Sequence, residues 1–228
     1  MKSALNARLL TVAELTGQDA TFADIGTDHA YLPLFLLDAG RIRYAYCCDI
    51  NEGPLASARK NAESRGRLSD CEFILTDGAA ILSGRGITDY AICGMGGELI
   101  ADIIDRAPHL RDIGVNLILQ PMSRQEKLRI YLATSGFAIN CESYSLDAGK
   151  YYVCMRASYV GAAQQLSELE TITGPHTAEF RGREYRLSYL NAKLNSLERA
   201  YAGRRAAGEE CCGEAELIAK LREYINKI

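Results

Sequence analysis

Histidine is scarce in this 228-residue chain: His29, His109 and His176 are the only three. None of the eight cysteines stands in a C-x-x-C, so a zinc site of finger spacing is excluded and no metal is expected. Two cysteine pairs are vicinal, Cys47-Cys48 and Cys211-Cys212. Cys47, Cys48, Cys93 and Cys154 lie in apolar runs, where a thiol packs as a small hydrophobe. Reduced thiols of this kind are usual in the cytoplasm. No run approaches the ~20 apolar residues of a membrane span. The N-terminal MKSALNARLLTVAELTG is amphipathic, interrupted by Asn6, Arg8 and Glu14, and lacks a signal-peptide core. The expectation is a cytoplasmic protein with no membrane partner. Neither sign of charge dominates, since 26 Lys and Arg against 29 Asp and Glu leave a formal net charge of −3. That excludes a protein that coats nucleic acid by bulk charge and leaves room for a local basic patch.

What is present is a regular alternation. Five short apolar runs, ATFADI (20–25), YAYCCDI (44–50), CEFILT (71–76), DYAICG (89–94) and NLILQP (116–121), are separated by helical patterns. The runs are continuously hydrophobic, as parallel strands buried on both faces are. Helical stretches at 29–39, 53–65 and 124–135 stop at Gly40, Gly66 and Gly136, and another spans 97–106. This predicts an α/β fold with a doubly wound sheet. FAINCESYSL and KYYVCMRASY, joined by DAGK, predict a closing antiparallel hairpin. No β-rich run follows Gly161. Leu187, Leu190, Leu194, Leu197 and Tyr201, then Ile218, Leu221, Ile225 and Ile228, form two heptad stripes. The stretch AGRRAAGEECCGE between them reads as a turn, and a shorter helix is expected at 163–172. The predicted organisation is a domain at 1–160 that folds alone and a helical, coiled-coil-like C-terminal domain at 161–228.

Ligands of such sheets bind beyond the carboxyl ends of the strands. Strand 1 ends in Asp24-Ile25-Gly26-Thr27-Asp28-His29, strand 2 in Asp49-Ile50-Asn51, strand 3 in Thr76-Asp77-Gly78, strand 4 in Cys93-Gly94-Met95-Gly96-Gly97 and strand 5 in Gln120-Pro121-Met122. A pyrophosphate wants G-x-G-x-x-G, so that bare backbone can approach two phosphates. Here one Gly stands between two Asp, and Asp28 would repel a phosphate. Asp49, 25 residues after Asp24, still suits the two hydroxyls of a ribose. These features together describe a nucleoside without phosphate that carries positive charge. S-adenosylmethionine fits, with Asp24 or Asp28 meeting its ammonium, Gly26 permitting close approach and Asp77 reaching the adenine amino group. Alone, each acid is equally a helix N-cap and each Gly equally a turn residue; their recurrence at successive strand ends carries the reading.

The motifs DIGTDHAYLP (24–33), DINEGPLASA (49–58), DG (77–78), GMGGELI (94–100) and LQP (119–121), with an L-R-x-x-L match at 128–132, resemble the bacterial TrmK family, tRNA (adenine-22, ring nitrogen 1)-methyltransferases. The resemblance is dense over 1–160 and extends to the tail by architecture. It implies a class I methyltransferase, Rossmann-like fold with S-adenosylmethionine as methyl donor and tRNA as partner. By position it implies cofactor-site roles for Asp24, Gly26, Thr27, Asp28, His29, Asp49 with Ile50, Asp77, Gly78, Gly94 and Met95. Gly-Met-Gly-Gly after strand 4 replaces the Asn/Asp-Pro-Pro-aromatic clamp of amino-directed enzymes, and no Pro-Cys suggests a thiolate-dependent enzyme.

Asp28 and His29 are the candidate catalytic residues, facing both cofactor and base. Tyr31 is a candidate for stacking on the target base, against a plain core role. Arg8 is a candidate substrate contact on a helix that covers the site. Further basic residues available to RNA are Lys2; Arg124, Lys127 and Arg129; Arg181, Arg183 and Arg186; and Arg204 and Arg205. In the tail, ten Lys and Arg between 162 and 228 balance ten Asp and Glu, so it is no basic arm. A self-associating hairpin and an RNA-contacting one both fit this pattern. A same-fold methyltransferase of a small molecule or protein, or a cofactor-binding protein without activity, remain alternatives.

Overall fold

Each apolar run becomes a strand whose side chains enter two cores in turn. The computed structural model describes residues 5–209 and 212–228; Lys2 and Cys211 lie outside them. The strands are β1 (Ala20–Ile25), β2 (Ile42–Asp49), β3 (Cys71–Leu75), β4 (Asp89–Gly96), β5 (Asn116–Ser123), β6 (Phe137–Asp147), β7 (Lys150–Tyr159) and β8 (Glu179–Arg181). They form one sheet in the order β3-β2-β1-β4-β5-β7-β6-β8. β7 alone runs antiparallel to its neighbours. Phe22, Cys47 and Ala91 point to one face, and their chain neighbours Ala23, Cys48 and Ile92 to the other. This two-sided burial explains why the runs are continuously apolar.

Helices α1 (Ala7–Leu15), α2 (Tyr31–Asp38) and α3 (Glu52–Ser64) cover the first face, and α4 (Gly97–Asp105) and α5 (Gln125–Thr134) the second. Asn6 caps α1, its Oδ1 accepting from the Leu9 amide at 2.9 Å. β1 lies between β2 and β4, so the connections diverge there, and the carboxyl ends of these strands frame the crevice in which ligands of such sheets sit.

The tail differs from expectation in three respects. The helix predicted at 163–172 is α6 (Glu168–Thr173), started by a Ser167/Glu170 capping box. A strand, β8, appears where none was predicted and pairs parallel with Cys141–Ser143 of β6. Helix α7 (Arg183–Ala206) runs through Gly203, so the predicted turn shortens before α8 (Cys212–Lys227) begins. Tyr189, Leu190, Leu194, Ile218 and Leu221 are buried in the same core as Leu128, Tyr144 and Met155. The tail therefore completes the core of the sheet instead of standing apart from it. Among the described residues no helix is long and apolar enough to cross a membrane, and no group of three or more His, Cys, Asp or Glu could hold a metal ion.

Candidate active site

The loop after β1 is drawn back onto β2: the amides of Gly26 and Thr27 both donate to the Cys48 carbonyl, at 2.9 and 2.8 Å. Gly26 has φ +80°, and a Cβ there would lie 2.4 Å from Met95 Cε. The positive φ strains any other residue here, and an added Cβ would also push the flexible end of Met95 aside. Asp24 is 7% exposed and accepts from Thr27 Oγ1 at 2.7 Å. Burial lifts its pKa to about 6, with the neighbouring Asp49 and Asp28 charges adding and the Thr27 hydrogen bond opposing.

His29 and Ala30 then adopt the left-handed conformation in succession, with φ of 58° and 56°. Outside glycine this is strained backbone, of the kind that concentrates at functional sites. It directs the His29 ring outward, where its Nε2 lies 3.1 Å from Asp28 Oδ1 and its plane stacks on Tyr31 with centroids 5.3 Å apart. Asn61 of α3 holds the turn by donating to the His29 carbonyl at 2.9 Å. Tyr31 is 37% exposed, so it is not a core aromatic.

Beyond Gly26 opens a cleft of about 370 Å³ at the ends of β1 to β4. Asp49, Ile50, Asp77, Gly78, Gly94 and Met95 all line it, and α4 adds an apolar wall of Leu99 and Ile103. Asp49 Oδ1 accepts from the Asn51 amide at 2.8 Å, which orients the carboxylate and leaves its other oxygen to the cleft. Both oxygens of Asp77 are engaged by Arg106, at 2.7 and 3.3 Å, and this ion pair holds the Asp77 carboxyl below its usual range. The residue expected to meet an adenine amino group is thus already oriented by a partner that the sequence did not reveal.

A second cavity of about 270 Å³ adjoins the cleft through Gly26, Cys93 and Gly94, and is lined also by Arg8, Asp24, Asp28 and Tyr31. Arg8, in the first turn of α1, donates from Nη1 to Gln120 Oε1 at 2.6 Å. Gln120 is fully buried, and its Oε1 also accepts from the Gly94 amide at 3.2 Å. Gln120, Arg106 and Asn61 were not among the expected site residues. The only signal for Gln120 was its place at the end of strand 5.

The basic residues proposed for RNA do not form one patch. Arg129 is fully buried against Glu142. Arg186 is 6% exposed, lies 3.5 Å from the Phe180 ring centroid, and donates to the Thr173 carbonyl and the Tyr224 hydroxyl. Arg183 donates to the Ile228 carbonyl. Arg181 pairs with Glu179 and lines a separate pocket with Glu14 and Leu15, at the far end of α1 from Arg8. Arg129 and Arg186 thus serve the buried core, while Arg181 and Arg183 stay exposed at the start of the tail, away from the cleft-side cations. Arg124 and Lys127 remain at the start of α5, both beside Glu98. Lys193 of α7 pairs with Glu126 there at 2.6 Å, so α7 passes the cleft-side end of α5 before reaching Arg204 and Arg205 near its end.

The family model described as a methyltransferase domain matches residues 5–155. A tRNA (adenine(22)-N(1))-methyltransferase of Bacillus subtilis (strain 168) is 34% identical over 148 residues; the alignment covers 65% of this chain and 62% of that protein, a little under two thirds of its length. M. capricolum TrmK, solved with S-adenosyl-homocysteine, is 28% identical, with 97% of this chain and 98% of that chain covered at a TM-score of 0.74. A Streptococcus agalactiae protein of the NADB-Rossmann superfamily is 30% identical, with 99% of both chains covered at a TM-score of 0.83. Streptococcus pneumoniae Sp1610, a putative tRNA (m1A22) methyltransferase, is 30% identical, with 98% of this chain and 99% of that chain covered at a TM-score of 0.80; with a methyltransferase domain over residues 5–155, this likeness identifies the chain as a member of the TrmK family of tRNA (m1A22) methyltransferases.

Proposed function

We propose that this chain transfers a methyl group from S-adenosylmethionine to ring nitrogen 1 of adenine 22 in tRNA, in the cytoplasm. The observation that carries the reading is the charge pattern of the two joined cavities. Asp24, Asp28 and Asp49 line them with no paired Lys or Arg among the described residues, beside Asp77 paired to Arg106, against one lining guanidinium, Arg8. That set suits a nucleoside with a cationic tail and repels a pyrophosphate. The likeness to enzymes named for this reaction supports the choice of base and position.

S-adenosylmethionine, when bound, supplies a methyl group on a sulfonium. Asp49 would hold the ribose, Asp24 the ammonium, and Met95 with Ile50 the adenine faces. The attacking nitrogen has a lone pair in the plane of its ring and needs no deprotonation, so the protein's work is alignment and exclusion of water. The target base must be drawn out of its stack. The stacked, exposed rings of His29 and Tyr31 offer it a platform at the mouth of the cavity, and Asp28 beside them would offset the positive charge of the product. Arg124, Lys127, Arg204 and Arg205 are the cations proposed to meet the rest of the RNA.

The deciding experiment is transfer of a radiolabelled methyl group to unmodified tRNA, followed by nucleoside analysis. Label in 1-methyladenosine that disappears when adenine 22 is replaced supports the proposal. Label in another nucleoside, or transfer to protein alone, overturns it.

A further inference from the structure

A separate polar cavity, of about 380 Å³, lies under the far end of α1. It opens before the first residues of β1 and β2, the length of β1 away from the cleft at the carboxyl ends of the strands. Three guanidiniums line it, Arg41, Arg156 and Arg181, with the carboxylates of Glu14 and Glu179. Two of the three are engaged. Arg41 donates to the carbonyls of Glu14 and Thr16 where α1 ends, and Arg181 meets Glu179 through Nε at 2.9 Å and Nη2 at 3.3 Å. Arg156 is half-buried, and among the described residues its guanidinium has no hydrogen bond and no ion pair. Holding a cation partly out of water with none of its five N–H donors matched by the chain is costly, and an anion offsets that cost best.

The sheet gathers further donors around it. Arg156 of β7 and Glu179 of β8 both stand opposite Cys141 of β6, so all three share the face that α1 covers. Asn140 is the extra residue of a bulge in β6, where the register slips between Ile139 and Cys141. The Ser158 hydroxyl donates to its Oδ1 at 3.0 Å, which orients the amide and leaves Nδ2 as a donor to the cavity. N–H groups thus reach the cavity from β6, β7 and β8, and three guanidiniums against two carboxylates leave one positive charge over. A tetrahedral oxyanion accepts from several directions at once, whereas the two oxygens of a carboxylate lie in one plane.

We propose that this cavity binds the phosphate group of a small molecule, with the Arg156 fork as its principal contact and Asn140 Nδ2 and the unengaged Nη1 of Arg181 completing it. An RNA backbone suits it less, because Glu14 and Glu179 in the lining would repel a chain of phosphates, and the cleft that takes the target base is at the other end of the sheet. The site stands independently of the function proposed above.

Equilibrium dialysis of the full chain against radiolabelled inorganic phosphate tests this, at constant ionic strength and with S-adenosylhomocysteine saturating so that the cofactor cavities are filled. Saturable binding at a single site is expected. Arg156→Gln should weaken it about tenfold or more, the effect of losing a charge-assisted bidentate contact. Asn140→Ala should weaken it less. Both variants should keep the wild-type rate of methyl transfer, which also shows that they are folded, and acetate should displace little of the label. Unchanged phosphate binding by Arg156→Gln would overturn the proposal. So would the lack of saturable binding by the wild-type chain, or displacement by acetate as effective as by unlabelled phosphate. An Arg156→Gln chain with a raised KM for tRNA would assign the phosphate to the RNA backbone and overturn the small-molecule site.

Discussion

The guanidinium of Arg129 and the carboxylate of Glu142 meet twice, Nε to Oε1 at 2.6 Å and Nη2 to Oε2 at 3.0 Å, with neither side chain exposed to solvent. The Tyr144 hydroxyl donates to the same carboxylate, and Arg129 reaches the carbonyls of Thr171 and Ile172 at the end of α6. Sheet, α5 and tail are joined through this one pair. Removing one partner of a buried ion pair leaves the other charge uncompensated. Glu142→Ala is therefore expected to lower stability by about 3–5 kcal/mol in urea denaturation. A loss within the range of an ordinary surface substitution would refute this.

The same contacts argue that 1–160 depends on the tail for its core, against the expectation that it folds alone. Without 161–228, Arg129 loses two carbonyl acceptors, and the core loses Tyr189, Leu190 and Leu194. The truncated chain should expose apolar surface, bind the dye ANS and lack a cooperative thermal transition. A sharp transition with normal cofactor binding would restore the two-domain reading.

Gly26→Ala forces a side chain into the left-handed region, at about 1–2 kcal/mol, and drives Met95 from its place above the loop. Weaker S-adenosylmethionine binding is the expected result. Met95→Ala in the same chain should return the part due to the clash and not the part due to the backbone. Identical affinities for the single and double variants would show that Met95 plays no role.

Asp24 imposes a pH dependence of defined sign. Its carboxyl is raised from 3.8 to about 6 in the folded state, so between these values the folded chain holds more protons than the unfolded one. The stability contributed by this group is full below the unfolded pKa and is lost as pH rises through about 6. Cofactor affinity runs the opposite way, because the ammonium needs the ionised carboxylate. Asp24→Asn should flatten both profiles, which paired denaturation and titration series at pH 4.5, 6 and 8 would reveal.

Asp49→Ala is expected to weaken cofactor binding by roughly 1–3 kcal/mol, the scale of a charge-assisted hydrogen bond to ribose. Asp28→Ala and His29→Ala should instead lower turnover by about 10²-fold, the effect of misplacing a reactant, with little change in cofactor affinity. Single-turnover rates beside binding constants separate the two classes. If the Asp28 and His29 variants keep normal rates, these residues serve only the strained turn.

The seven long strands were readable because each is an apolar run between glycines or charged turns. β8 was not, since three residues, two of them charged, leave no hydrophobic pattern. Of the site, the residues at the ends of β1 to β4 could be read in register along the chain. Arg106, Asn61 and Gln120 arrive from the far ends of helices and a neighbouring strand, and only folding brings them near. Arg129 and Arg186 misled for a related reason: composition records a charge but not the carboxylate or aromatic ring that lets it be buried.

β8 also bears on how the edge of the sheet is closed to pairing with other chains. The sheet has two outer edges, β3 with five residues and β8 with three. Without β8, the eleven-residue β6 would present its unpaired amides and carbonyls to any passing strand. The short β8 covers Cys141–Ser143, and its own side chains, Glu179 and Arg181, pair with each other across the outermost strand. Charged residues on so short an edge give an incoming strand neither length nor apolar surface to zip onto. A segment invisible to pattern reading thus ends the sheet on a short, charged strand.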